Sequence, residues 1–133
     1  MEHLVLDSSV WIAIERGVEN EIQVLKEGFN IILPAMVAAE LMPDSARIQP
    51  GTTRHQQSLD FFAFVRREAE FAAFDEKVVE KYVQLISFCK REGRPRSIPD
   101  LMIAATALAH GALLKSFDKK AVFENLPNLR VLS

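Results

Sequence analysis

Cys89 is the only cysteine, which excludes a disulfide framework and a thiolate zinc site and points to a reducing compartment, the cytosol. Basic excess is missing as well. The formal net charge is −2, so binding cannot be driven by overall basicity and any contact with a polyanion has to be local. No apolar run reaches membrane-spanning length, and MEHLVLD, with an acid at position two, is too short an apolar start for a signal peptide. A cytoplasmic protein is expected. The five glycines lie apart at 17, 28, 51, 93 and 111 and no Gly-Lys-Ser/Thr occurs, so a phosphate-cradling loop is excluded. His3, His55 and His110 lack metal-ligand spacing, and no Gly-x-Ser-x-Gly elbow is present, which removes zinc and acyl-transfer chemistry.

What is there suits one globular unit. At 133 residues and 49% hydrophobic the chain can bury a proper core, and with no repeat or low-complexity tract it reads as a single domain over residues 1–133. Short apolar runs alternate with helical patterns, which argues for an α/β fold. The runs 4–6, 29–33, 71–74, 112–114 and 129–132 read as strands. Helices are expected after Asp7, over Val18 to Glu27, from Pro34 through Met42, over Ser58 to Glu68, from Asp75 to Arg91, and from Ser97 to His110. Residues Ala121 to Phe123 suit one further short helix, and the polar stretch Pro43 to Gln57 reads as a loop, a possible flap.

The stretch SIPDLMIAATALAHGALLKSFD, residues 97 to 118, organises the rest. Its helix has no polar face and should be buried on most sides. Asp100 opens that helix and Asp118 follows the next strand, so in a parallel sheet both acids point to one crevice. Asp7 likewise follows an apolar strand, and Glu40 is the only charge between Ile31 and Met42. Each has a bland structural explanation. Ser97-x-x-Asp100 resembles a capping box, Asp118 can cap the last short helix, Asp7 can end its strand in solvent, and Glu40 can be the wet side of its helix with Asp44 one turn on. Four carboxylates in one crevice, however, repel unless they are protonated or bridged by a cation.

Taken in order, Leu-Val-Leu-Asp-Ser-Ser-Val-Trp-Ile at 4 to 12, Glu40 after Leu-Pro, Phe74-Asp-Glu-Lys-Val78, Ile98-Pro-Asp-Leu-Met-Ile-Ala-Ala-Thr-Ala107 and Ser116-x-Asp118 resemble the PIN domains, and among them the VapC-type toxin ribonucleases of toxin-antitoxin pairs. The resemblance spans almost the whole chain. It implies a three-layer α/β/α fold with a central parallel sheet flanked by helices, and an acidic metal pocket of Asp7, Glu40, Asp100 and Asp118. Ser116 matches a small hydroxyl residue two positions before the last acid, and Ser8 the one after the first. The activity implied is that of an endoribonuclease, the toxin of a pair, with a homodimer and a small antitoxin as partners. Ala13 departs from the polar or acidic residue that many relatives carry there.

Oxygen-only ligands suit Mg²⁺ or Mn²⁺. Such an ion lowers the pKa of a bound water and polarises the scissile phosphate, so no protein nucleophile is required. An RNA substrate needs cations at the rim, and Lys90, Arg91, Arg94 and Arg96 stand directly before Asp100. The same cations also fit a solvated helix end. The Phe61, Phe62 and Phe64 cluster suits packing or a protein interface better than base stacking. The rival readings are a non-catalytic interaction module of the same fold and, further off, a phosphotransfer or phosphatase α/β domain. The latter wants a second acid where Ser9 stands, or two adjacent acids nearer the start.

Overall fold

The computed structural model describes residues 1–17, 20–44 and 46–133. In chain order the elements are β1 (Glu2–Leu6), α1 (Ser8–Glu15), α2 (Asn20–Gly28), β2 (Phe29–Pro34), α3 (Ala35–Leu41), α4 (Thr53–Glu68), β3 (Glu70–Ala72), α5 (Glu76–Glu92), α6 (Ile98–Ala109) and β4 (Leu113–Lys115). Two short 3-10 turns follow, Lys119–Ala121 and Phe123–Asn125. Helices α1, α4, α5 and α6 start where Asp7, Thr52, Asp75 and Ser97 cap them, whereas α3 starts after Pro34 with no capping side chain.

All pairings are parallel, in the order β3-β2-β1-β4. Leu4, Val5 and Leu6 are all buried, as are Ile31, Ile32 and Leu33. Successive strand residues face opposite sides, so the sheet is covered on both. This is the three-layer α/β arrangement expected. The chain walks from β1 through β2 to β3 on one side and then returns to place β4 on the other flank of β1. Between the C-terminal ends of β1 and β4 it therefore leaves a topological switch point, where open α/β sheets form their crevice. The core is completed by Val10, Trp11 and Ile14 of α1 and by Leu101, Ile103, Ala104, Ala105 and Ala107 of α6.

Several sequence expectations change in detail: in place of one short helix over Ala121 to Phe123 there are two 3-10 turns that meet at Val122 in the left-handed region, and the strand expected over 112–114 is Leu113–Lys115. Helix α4 starts at Thr53 rather than Ser58, because the Thr52 hydroxyl accepts from the His55 backbone N–H at 3.1 Å and caps it. Polar residues thus form the first turns of that helix. Strand β3 is Glu70–Ala72 rather than 71–74; Asp75 already caps α5 by accepting from the Val78 N–H, and Phe74 turns to meet Tyr82 edge-on at 5.8 Å. The closing strand 129–132 shrinks to one parallel bridge between Val131 and Leu114. Pro127, and Asn128 in the left-handed region at φ 64°, bend the chain just before it and keep a longer ladder from forming. Helix α2 is described over Asn20–Gly28, and the expected start at Val18 lies outside the described residues.

Candidate active site

Asp7 sits at the switch point and is only 5% exposed, so it does not end its strand in solvent. The β1-to-α1 transition makes it the N-cap of α1, where Oδ1 accepts from the Val10 N–H at 3.3 Å. The Ser9 hydroxyl donates to the same oxygen at 2.5 Å, and the Ser116 hydroxyl donates to Oδ2. Both serines also accept from the turn that carries the last acid: Phe117 N–H to Ser9 Oγ and Asp118 N–H to Ser116 Oγ, each 2.9 Å. Two hydroxyls thereby lock Asp7 to the end of β4. A carboxylate offers about four lone pairs, and three of these are engaged, which leaves one free on Oδ2.

Asp118 accepts from the Lys120 N–H at 3.0 Å and caps the 3-10 turn, as its bland reading proposed. At Asp100 only half of a capping box forms among the described residues. The Ser97 hydroxyl accepts from the Asp100 N–H at 3.2 Å, and the Asp100 carboxylate makes no reciprocal bond. Glu40 lies in the last turn of α3 and keeps much of its side chain in solvent.

The acids nevertheless sense one another. Asp100 is pushed above the ordinary carboxylate range, first by desolvation and then by repulsion from Asp118 and Asp7, against the opposing pull of Ser97 and Arg96. Glu40 is raised by desolvation, is eased by the Ser8 hydroxyl, and is raised further by Asp100 and Asp7. Glu40 is therefore more than the wet side of its helix. Asp7 thus acts on both Glu40 and Asp100, and Asp118 acts on Asp100, although these acids are far apart along the chain.

Among the described residues, no three His, Cys, Asp or Glu side chains stand together as a ready-made ion cage. Mg²⁺ takes one or two carboxylates and keeps several waters rather than filling an all-protein shell. The donor set is all oxygen. These residues fit such an ion.

Arg94, Arg96, Asp100, Asp118 and Lys120 line one cavity of about 350 Å³. Arg96 does not point freely into it: its Nη1 donates to the carbonyls of Ala121 and of Val122, the latter at 2.6 Å. Val122 is β-branched yet sits at φ 47°, a conformation its side chain disfavours, and the guanidinium holds the carbonyl there. Arg96 thus ties the segment before Asp100 to the turn after Asp118. Lys90 and Arg91 lie exposed in the last turn of α5, and Lys90 lines a separate groove with Ile86 and Ile98. Lys119 and Lys120 were overlooked in the sequence, although two lysines directly after an acid that ends a strand were there to be seen. In the sequence Ser9 stands out only as the place where a phosphatase wants a second acid; its position two residues after Asp7 is the available signal.

A crevice at the switch point of a doubly covered parallel sheet, lined by converging carboxylates, defines an α/β protein with a candidate polyanion-processing site. The profile of the PIN domain matches residues 4–129, and the chain belongs to that family. It is 28% identical to "Ribonuclease VapC1" of Rickettsia felis over 130 residues, covering 98% of this chain and 95% of that protein. In fold it resembles the VapBC2 structure of Rickettsia felis bound to a promoter DNA fragment, with a TM-score of 0.79 at 24% identity over 97% of this chain and 96% of that one. The DNA-bound VapBC structure of Salmonella typhimurium superposes with a TM-score of 0.82 at 17% identity, over 99% and 98%.

Proposed function

We propose that this chain is a Mg²⁺- or Mn²⁺-dependent endoribonuclease, the toxin of a toxin-antitoxin pair, working in the cytoplasm as a homodimer held in check by a small antitoxin. The observation that carries the reading is geometric: Asp7 lies at the switch point and is tied through Ser116 to the turn that bears Asp118, and Asp118 shares one cavity with Asp100. The VapC relatives, described as ribonucleases and solved with VapB partners, support it. No helix among the described residues is long and apolar enough to cross a membrane.

In this reading Asp7, Asp100 and Asp118 hold the ion directly or through water. When bound, that ion offsets the charge of the acids, polarises the scissile phosphate and makes the attacking water more acidic. Glu40 completes the shell or orients the water. Ser116 holds one oxygen of the Asp7 carboxylate in place, and Ser9 steadies the other. Water would attack phosphorus and give up one proton to solvent, the bond to one ribose oxygen would break, and that oxygen would take up a proton from solvent. Arg94 and Lys120, on the wall shared with Asp100 and Asp118, draw in the RNA backbone, with Lys90 and Arg91 further along its path. Arg96 acts by holding the turn after Asp118.

The test is incubation of purified protein with single-stranded and structured RNA, with Mn²⁺ or with chelator. Cleavage is expected only with the metal. Asp7→Asn keeps the shape of the carboxylate and its cap but loses the charge, so the fold persists and cleavage falls at least about a hundredfold, the scale of losing several kcal/mol of charge stabilisation. No metal-dependent cleavage of any RNA, or full activity in the variant, refutes the reading and leaves an interaction module.

A further inference from the structure

Phe117 stands between Ser116 and Asp118 and is 49% exposed. Its backbone is not loose. The Phe117 N–H donates to Ser9 Oγ, the Ser116 hydroxyl donates to Asp7, and the Asp118 N–H donates to Ser116 Oγ. A rigid turn therefore holds an apolar ring out in water at the mouth of an acidic pocket. Lys115 covers the ring with its ammonium 5.3 Å from the centroid, and the ring also lines a cavity of about 570 Å³ with Asp118, Lys119 and Glu124. Asp118 lines this cavity and the one that holds Asp100, Arg94 and Lys120. It is the partition between an acid-and-cation side and an aromatic side.

We propose that Phe117 is a seat for one nucleobase of a single-stranded RNA, the base beside the bond cut at the acids. The proposal rests on the ribonuclease reading and adds to it where the substrate is gripped. A strand that crosses Asp118 has its phosphate on the Asp100 side and the adjoining base over the Phe117 ring, with Lys119 near the next phosphate. Unstacked bases of single strands take such aromatic platforms whatever their identity, because every base has a π-face. The lysine behind the ring strengthens the seat for the polyanion without reading its sequence.

The experiment compares wild type, Phe117→Ala and Phe117→Tyr on a short single-stranded oligoribonucleotide with Mn²⁺, and on copies carrying an abasic site at each position around the cut. Base stacking on an aromatic side chain is lost by alanine substitution at a cost equivalent to roughly five- to 150-fold. Phe117→Ala should lose that factor in kcat/KM, mainly through KM, and Phe117→Tyr should restore it. One abasic position should reproduce the loss in wild type and add nothing in Phe117→Ala. Unchanged kinetics in Phe117→Ala, or losses that add at every abasic position, overturn the proposal and leave the ring to a protein contact. Should wild type cleave no RNA, the ribonuclease reading fails and the seat is read by binding alone. Quenching of a 2-aminopurine oligonucleotide by wild type but not by Phe117→Ala then supports it, and no quenching overturns it.

Discussion

At the scale of the residue, the centre of the site is a carboxylate whose orientation is fixed by two serine hydroxyls. Burial of Asp7 is tolerable because its two carboxyl oxygens accept hydrogen bonds from Ser9, Ser116 and the Val10 N–H. Ser116→Ala removes one of these donors and leaves Asp7 Oδ2 and the Asp118 N–H without their partner. We expect a loss of about 1–3 kcal/mol in urea-denaturation stability together with reduced cleavage, and recovery of both in Ser116→Thr. Unchanged stability and activity in Ser116→Ala would mean the hydroxyl does not position the acid. The four candidate acids stand out in the sequence because each opens, follows or interrupts an apolar stretch, whereas Ser116 stands out only through the family resemblance. Ser9, Lys119 and Lys120 do not stand out as site residues, since a cap and a solvated charge look the same in one dimension as a site residue. Arg96 was legible only as a cation; its grip on the carbonyls of Ala121 and Val122 depends on a chain crossing that spacing does not reveal.

Among the elements, those with strong periodicity or clear caps came through. The α5 boundaries follow from Asp75 at one end and Gly93 at the other, and α6 follows from Ser97 and its unbroken apolar run. Helix α4 escaped at its start because its first turns are polar and exposed, so packing leaves no periodic mark there. The last strand failed because hydrophobicity cannot report a turn at Pro127 and Asn128. Gly93 ends α5 in the left-handed region at φ 65°, with its N–H bonded back to Lys90. A Cβ there meets nothing within 4 Å, so Gly93→Ala costs only the conformational penalty, about 1–2 kcal/mol. Because Arg94 and Arg96 follow directly, we also expect weaker RNA binding in that variant. A melting temperature equal to wild type would show that the helix end is not under this constraint.

For the whole molecule, the parallel sheet converts order along the chain into convergence in space. We propose that residues 1–133 unfold as one unit, since β1 joins the first half of the chain to β4 at its end. The same convergence sets a pH dependence. Glu40 has a raised pKa from desolvation and then from Asp100 and Asp7, so the folded protein binds more protons at this site than the unfolded chain. Its contribution to stability is complete below about pH 4, the ordinary glutamate value, and is lost as pH rises through the folded value. Without metal, Glu40→Gln should gain stability relative to wild type as pH goes from 4 to 8, read from paired denaturation curves. With Mn²⁺ in excess the advantage should vanish, because the ion offsets the repulsion. A difference that is flat with pH would show that the carboxylate does not feel its neighbours.

Calorimetric titration of Mn²⁺ into wild type and Asp100→Asn at neutral pH probes the convergence of the acids without reference to any RNA. Saturable binding by wild type, weakened at least about tenfold in the variant, is expected, since one charged donor is worth upward of 1.4 kcal/mol at such a site. Wild type that takes up no Mn²⁺, or an Asp100→Asn variant that binds it equally well, would mean that Asp7, Glu40, Asp100 and Asp118 do not form a metal site.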